Sequence, residues 1–224
     1  MKLKNIARGI AALGLAASFA APASAAIVNL TGYANGGPSS VSVASPSYSA
    51  GAGQFQGTLD GNAFKTFCVE IGETFNFNTS YTYSIVSGTT AWTNPVYLGL
   101  SRLVTWLAAN PTFNNTADKS AAMQSAVWEV IYETSGSYNL AAGTFKASAS
   151  GATQTALTNL NAQWGNINAT LPTLFADKLS NVGTPGRQDF LLTTPVPEPE
   201  AFAMMLAGLG LVGAIARRRS RSGV

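Results

Sequence analysis

The sequence predicts an α+β fold: a β-rich domain, a sheet or sandwich of short strands, with a helical part inserted in its middle and an apolar membrane helix at the C-terminus. Three observations carry this. Up to Val86 the chain runs in short segments of alternating apolar and polar residues punctuated by glycine, proline and Asp-Gly. Between residues 95 and 133 the apolar spacing changes to the helical period. Residues 201–216 hold no charge and end on an arginine cluster.

In chain order, residues 27–33 and 40–44 read as strands, with Gly36, Gly37 and Pro38 turning the chain between them. Two further strands are expected within residues 51–71, joined at Asp60-Gly61, a pair of residues that favours tight hairpin turns. Residues 81–86 form another strand, with Tyr81, Tyr83 and Ile85 on one face. From 95 to 109, Val96, Leu100, Leu103, Val104 and Leu107 make a helical stripe, with Pro95 in the first turn and Asn110-Pro111 ending it. Asp118–Glu133 is the clearest helix, its stripe carried by Met123, Ala126, Val127, Val130 and Ile131 and its N-terminus complemented by Asp118. Gly136 lies just beyond its end. A third helix is expected over 152–164 through Ala156, Leu157, Leu160 and Trp164, and a last strand over 187–193.

The ends of the chain are targeting segments. Lys2, Lys4 and Arg8 precede an apolar run over 9–22, and Ala23-Ser24-Ala25 is a small-residue cleavage site; residues 1–25 therefore read as a signal peptide. Residues 194–200 are a proline-rich linker, and 201–224 an apolar helix with a basic tail. Sixteen uncharged residues make a helix of about 24 Å, marginal against a hydrocarbon core of about 30 Å. Arg217, Arg218, Arg219 and Arg221 would stop transfer and stay cytoplasmic. Gly208, Gly210 and Gly213 spell a nucleotide-binding pattern, but no strand precedes them, and small residues in a membrane helix explain them better.

The order Val196-Pro197-Glu198-Pro199, apolar helix, arginine cluster resembles the PEP-CTERM sorting signal of Gram-negative bacteria. The resemblance implies that Pro197, Glu198 and Pro199 form the recognition element for exosortase, a membrane protease, and that the precursor is anchored in the inner membrane before reaching the cell surface or exterior. Signal peptidase and exosortase are the processing partners it implies. An ordinary C-terminal anchor shares that topology.

Residues 26–193, the expected extracellular domain, carry six basic and eight acidic side chains, so the formal +3 of the chain comes from its ends. No basic patch suits nucleic acid. There are no histidines, which excludes Ser-His-Asp and Cys-His catalysis and histidine metal sites; one cysteine excludes an internal disulfide. No metal or cofactor is expected.

That lone cysteine, in an exported chain, stands in the segment Phe67-Cys68-Val69-Glu70. Fifty-six residues on, Gln124 stands beside the apolar stripe of the clearest helix, in Met123-Gln124-Ser125-Ala126-Val127-Trp128. At 100° per residue it sits at the edge of the inward face with Val127, Trp128 and Ile131. These two segments resemble the signatures of thioester domains in bacterial surface adhesins. Met123 stands where the commoner form has threonine, and Ser125 fills the variable position. The resemblance implies a bond between the Cys68 sulfur and the Gln124 side-chain carbonyl, shielded by Phe67 and Trp128, with Glu70 as a nearby carboxylate. It implies a single-use covalent binder of amine-bearing targets rather than an enzyme, with roles in adhesion or matrix attachment. The alternative is a noncovalent structural or extracellular-matrix protein with an inert cysteine.

Other candidate chemistry is weaker. Glu129 and Glu133, four apart, point away from the stripe and read as a solvated face. Glu70 and Glu73, three apart, would face opposite sides of a strand. Asp60-Gly61-Asn62 is too short for a calcium loop. Tyr81, Tyr83, Trp92 and Trp106 read as core.

Overall fold

A computed structural model of the chain describes residues 25–134, 137–183, 185–195, 207–210 and 212. In chain order the strands and helices are β1 (Ala25–Tyr33), β2 (Ser39–Val43), β3 (Tyr48–Ala52), β4 (Phe55–Leu59), β5 (Asn62–Thr66), β6 (Ser80–Val86), α1 (Gly88–Ala91), α2 (Asn94–Ala109), α3 (Ala117–Tyr132), β7 (Ala147–Ser148), α4 (Gly151–Asn161), α5 (Trp164–Ala169), β8 (Leu174–Asn181) and β9 (Phe190–Pro195). The mixed, β-rich fold with inserted helices is the predicted one.

The main sheet has the order β5-β4-β1-β6-β8-β9, antiparallel throughout. Its β4–β5 turn is made by Asp60 and Gly61, both at positive φ, as Asp-Gly predicts. Asp60 Oδ1 also accepts the Ile27 N–H at 2.7 Å, tying the turn back to β1. Gly57 on β4 lies so close to β1 that a Cβ there would stand 2.0 Å from the Asn29 carbonyl oxygen. Gly57→Ala is expected to force these strands apart and destabilise the domain by about 1–3 kcal/mol, read as a lower urea midpoint at unchanged slope.

The two outer strands of this sheet meet. Beyond β5 the chain passes alongside β9: Leu191 N–H donates to the Phe67 carbonyl at 3.0 Å and Val69 N–H to the Asp189 carbonyl at 3.2 Å, with Cys68 facing Phe190. The Thr66 hydroxyl adds a 2.6 Å bond to the Leu191 carbonyl. The sheet therefore rolls up with its seam at Cys68. Phe190 at that seam meets the rings of Phe55, Phe75 and Tyr83 at centroid distances of 5.2–6.2 Å.

A smaller sheet, β3-β2-β7, packs against α3. Helix α2 lies along β8, where the Ser101 hydroxyl accepts the Ala176 N–H and the Thr105 hydroxyl accepts the N–H groups of Thr173 and Leu174. Helix α3 is capped by the Thr116 hydroxyl rather than by Asp118. Asp118 instead accepts hydrogen bonds from Ser39 at 3.0 Å and Thr153 at 2.5 Å, linking β2, α3 and α4.

Several expectations need correction. The strand expected to continue to Ile71 stops at Thr66, because at Cys68 the backbone groups facing away from β9 meet a side chain rather than another strand. Strands β3 and β8 were not legible: β8 reads Phe-Ala-Asp-Lys-Leu, and the adjacent Asp177 and Lys178 break the alternation. The third helix is interrupted after Asn161 and restarts at Trp164. Among the described residues no helix is long and apolar enough to cross a membrane. Of the predicted apolar helix only 207–210 and 212 are described, and they are helical. Residues 1–24 of the predicted signal peptide and Gly136 lie outside the described residues.

Candidate functional site

The antiparallel bridge to Phe190 leaves the Cys68 N–H and C=O pointing away from β9. Gln124 meets both. Its Oε1 accepts the Cys68 N–H at 2.9 Å, and its Nε2 donates to the Cys68 carbonyl at 2.8 Å. The carboxamide thus occupies the position of a neighbouring peptide unit. The two predicted thioester residues, fifty-six apart in sequence, are side by side.

Gln124 is more deeply placed than its position on the stripe suggests. Every residue of α3 from Ser120 to Val130 is buried, because the helix is enclosed by α2, α4 and the smaller sheet. Gln124 is 1 % exposed, so its amide needs the partners it finds in Cys68. The expected solvated face does not exist. Glu129 is fully buried and Glu133 nearly so. Loop residues fold over them: Asn139 N–H donates to Glu129 Oε1 at 2.5 Å, and the N–H groups of Thr144 and Phe145 donate to Glu133 Oε2.

Cys68 and Gln124 border a cavity of about 200 Å³. Trp128 forms one wall, edge-on to Tyr48 at 5.4 Å between centroids. Phe67 is buried, but its side chain lines a different cavity beside Val104 and Leu191, so of the predicted pair of shields only Trp128 borders the Cys68 cavity. Glu70 lines the Cys68 cavity yet is fully engaged: Oε1 pairs with Lys178 Nζ at 2.7 Å, and Oε2 accepts from the Asp189 N–H and from Gln188. Burial, and after it the Glu70 carboxylate, push the Cys68 thiol well above its ordinary value. Glu70 therefore does not help ionise the sulfur.

Sequence reasoning set Glu73 on the face opposite Glu70 and missed the rings of Tyr33, Tyr48, Phe55, Phe75 and Phe77; all of these border this cavity. The alternation Phe75-Asn76-Phe77 was the available signal. Glu70 and Glu73 share one cavity rather than opposite faces, because no strand forms here and Gly72, at φ +94°, turns the chain between them.

Residues 195–220 match the PEP-CTERM protein-sorting motif. The motif marks an exported protein with a membrane-anchored precursor and exosortase as its processing partner. The match includes Pro197, Glu198, Pro199, Arg217, Arg218 and Arg219, and stops one residue short of Arg221; all of these lie outside the described residues. No curated protein and no solved structure matches the chain.

Proposed function

We propose that Cys68 and Gln124 condense to an internal thioester, through which the exported protein attaches once, covalently, to amine-bearing targets at a cell surface or in the surrounding matrix. One observation supports this above the rest: the Gln124 carboxamide lies hydrogen-bonded across both backbone groups of Cys68, in a buried site beside a cavity.

The sulfur of Cys68 attacks the Gln124 side-chain carbonyl carbon; the C–N bond breaks and ammonia leaves. An amide is a poor electrophile, and held geometry supplies the rate: well-oriented intramolecular groups reach effective molarities of about 10⁵–10⁸ M. The raised thiol holds the sulfur protonated at neutral pH, so bond formation accelerates as pH rises. Burial disfavours a thiolate but carries no such cost for a neutral thioester. An amine then displaces the sulfur and remains joined as an amide. Nothing regenerates the bond, so the protein does not turn over.

A second reading assigns Gln124 a clamping role only, within a noncovalent structural protein. It is favoured by the completeness of the pairing, since the Gln124 amide and the Cys68 backbone already satisfy each other. Intact mass separates the two readings. The freshly purified mature domain is expected to be lighter than its sequence by one ammonia and to gain one methylamine on treatment with that amine. Cys68→Ala is expected to abolish both changes. A native mass equal to that of the sequence, with Cys68 alkylated after unfolding, overturns the thioester.

A further inference from the structure

The cavity beside Cys68 is walled by aromatic rings and carries acidic but no basic side chains among the described residues. Its volume, about 200 Å³, is below the roughly 300–1,000 Å³ of pockets for drug-sized ligands. It suits one slender chain. Aromatic faces favour a cation over a neutral group of the same shape, so an alkylammonium is accommodated here. That creates a chemical problem: an ammonium has no lone pair and cannot attack a carbonyl until it loses a proton.

The two carboxylates at this cavity are not equivalent. Both oxygens of Glu70 are occupied by Lys178, Asp189 and Gln188. Glu73 borders the same cavity and makes no hydrogen bond or ion pair to any described residue. It is the carboxylate whose oxygens are available.

We propose that Glu73 is the catalytic base that takes the proton from the amine as that amine opens the Cys68–Gln124 bond. The step rests on the thioester reading and balances as follows. The ammonium gives one proton to the Glu73 carboxylate. The freed nitrogen bonds to the Gln124 acyl carbon, and the carbon–sulfur bond breaks. A second proton leaves that nitrogen for the departing sulfur, which ends as the Cys68 thiol. Its burial favours that protonated form. Burial, then the neighbouring Glu70 and Asp189 carboxylates, raise the Glu73 carboxyl above its ordinary value, with Lys178 opposing them. A raised carboxyl is the stronger acceptor.

The test uses mature protein whose native mass already shows the loss of ammonia. Methylamine and methoxyamine are the probes; the second is largely uncharged at neutral pH and needs no proton removed before attack. Glu73→Gln is expected to retain the ammonia loss, react with methylamine about 10²–10⁴-fold more slowly, and regain most of that deficit with methoxyamine. Glu73→Asp is expected to keep the preference of the wild type between the two amines, and it carries the test if Glu73→Gln does not form the bond. An unchanged methylamine rate in Glu73→Gln overturns the assignment. So does an equal deficit with both amines, which would mean that Glu73 only shapes the cavity, or an amine preference lost in Glu73→Asp. A wild-type domain with no ammonia loss strikes the thioester itself, and this step with it.

Discussion

At pH 8.5, Glu129→Gln is expected to stabilise the domain by about 3 kcal/mol, and near pH 4 the advantage disappears. Glu129 is fully buried; one oxygen takes the Asn139 N–H, and the other has no hydrogen-bond partner among the described residues. Burial is the main cause of a carboxyl pushed from 4.5 to about 7, with the Asn139 hydrogen bond opposing it and the Glu133 charge adding to it. Below about pH 4.5 the group is neutral whether the chain is folded or not, and its burial costs no charge. As pH rises from there, the unfolded chain ionises first, and stability falls until the folded group ionises near pH 7. At about 1.4 kcal/mol per pK unit, that interval amounts to about 3 kcal/mol. An uncharged isostere removes this slope while leaving an acceptor for Asn139. Urea unfolding of both proteins across pH 4–9 reads the difference directly. Parallel curves would show that the buried carboxyl titrates at its ordinary value in the fold.

That glutamate also shows where sequence reading stops. The 3.6-residue pattern on α3 correctly gives the helix and its most apolar stripe, but a hydrophobic stripe does not say whether the opposite face is solvated. Here the chain returns over that face, and polar side chains there find backbone donors that lie ten or more residues away. The Asp60-Gly61 turn was legible because its cause is local: a tight hairpin needs positive φ at both central residues. Strand β8 was not, because its pairing with β6 and β9 overrides a sequence in which Asp177 and Lys178 interrupt the alternation. The Cys68–Gln124 pair was reachable only as two separate segments, one with an unpaired sulfur and one with an amide beside an apolar stripe. The cavity beside them draws on five stretches of chain from Tyr33 to Gln188, and no local pattern announces such a convergence.

Lys178→Met is expected to destabilise the domain by about 1–3 kcal/mol, between the cost of breaking an exposed ion pair and that of breaking a fully buried one. The Lys178 ammonium lies 2.7 Å from Glu70 and 2.8 Å from Asp189, and all three side chains are at most 26 % exposed. Asp189 also accepts the Asn181 N–H at 2.6 Å and the Ser180 hydroxyl, and Glu70 accepts the Asp189 N–H. One cation therefore holds together β8, the entry to β9 and the segment that follows Cys68. Without it two carboxylates remain close together with no neutralising charge, and their repulsion acts across the seam where the sheet closes. The effect should extend to Cys68, two residues from Glu70, as faster alkylation of its thiol in the native domain in a sample from which the thioester has been removed by amine. Adding Glu70→Gln to Lys178→Met is expected to recover part of the loss, because one of the stranded charges is gone. A double-mutant cycle measures this coupling. A coupling near zero, or an alkylation rate unchanged by Lys178→Met, would mean that the backbone bonds of Phe67, Val69 and Leu191 hold the seam closed without the ion pairs.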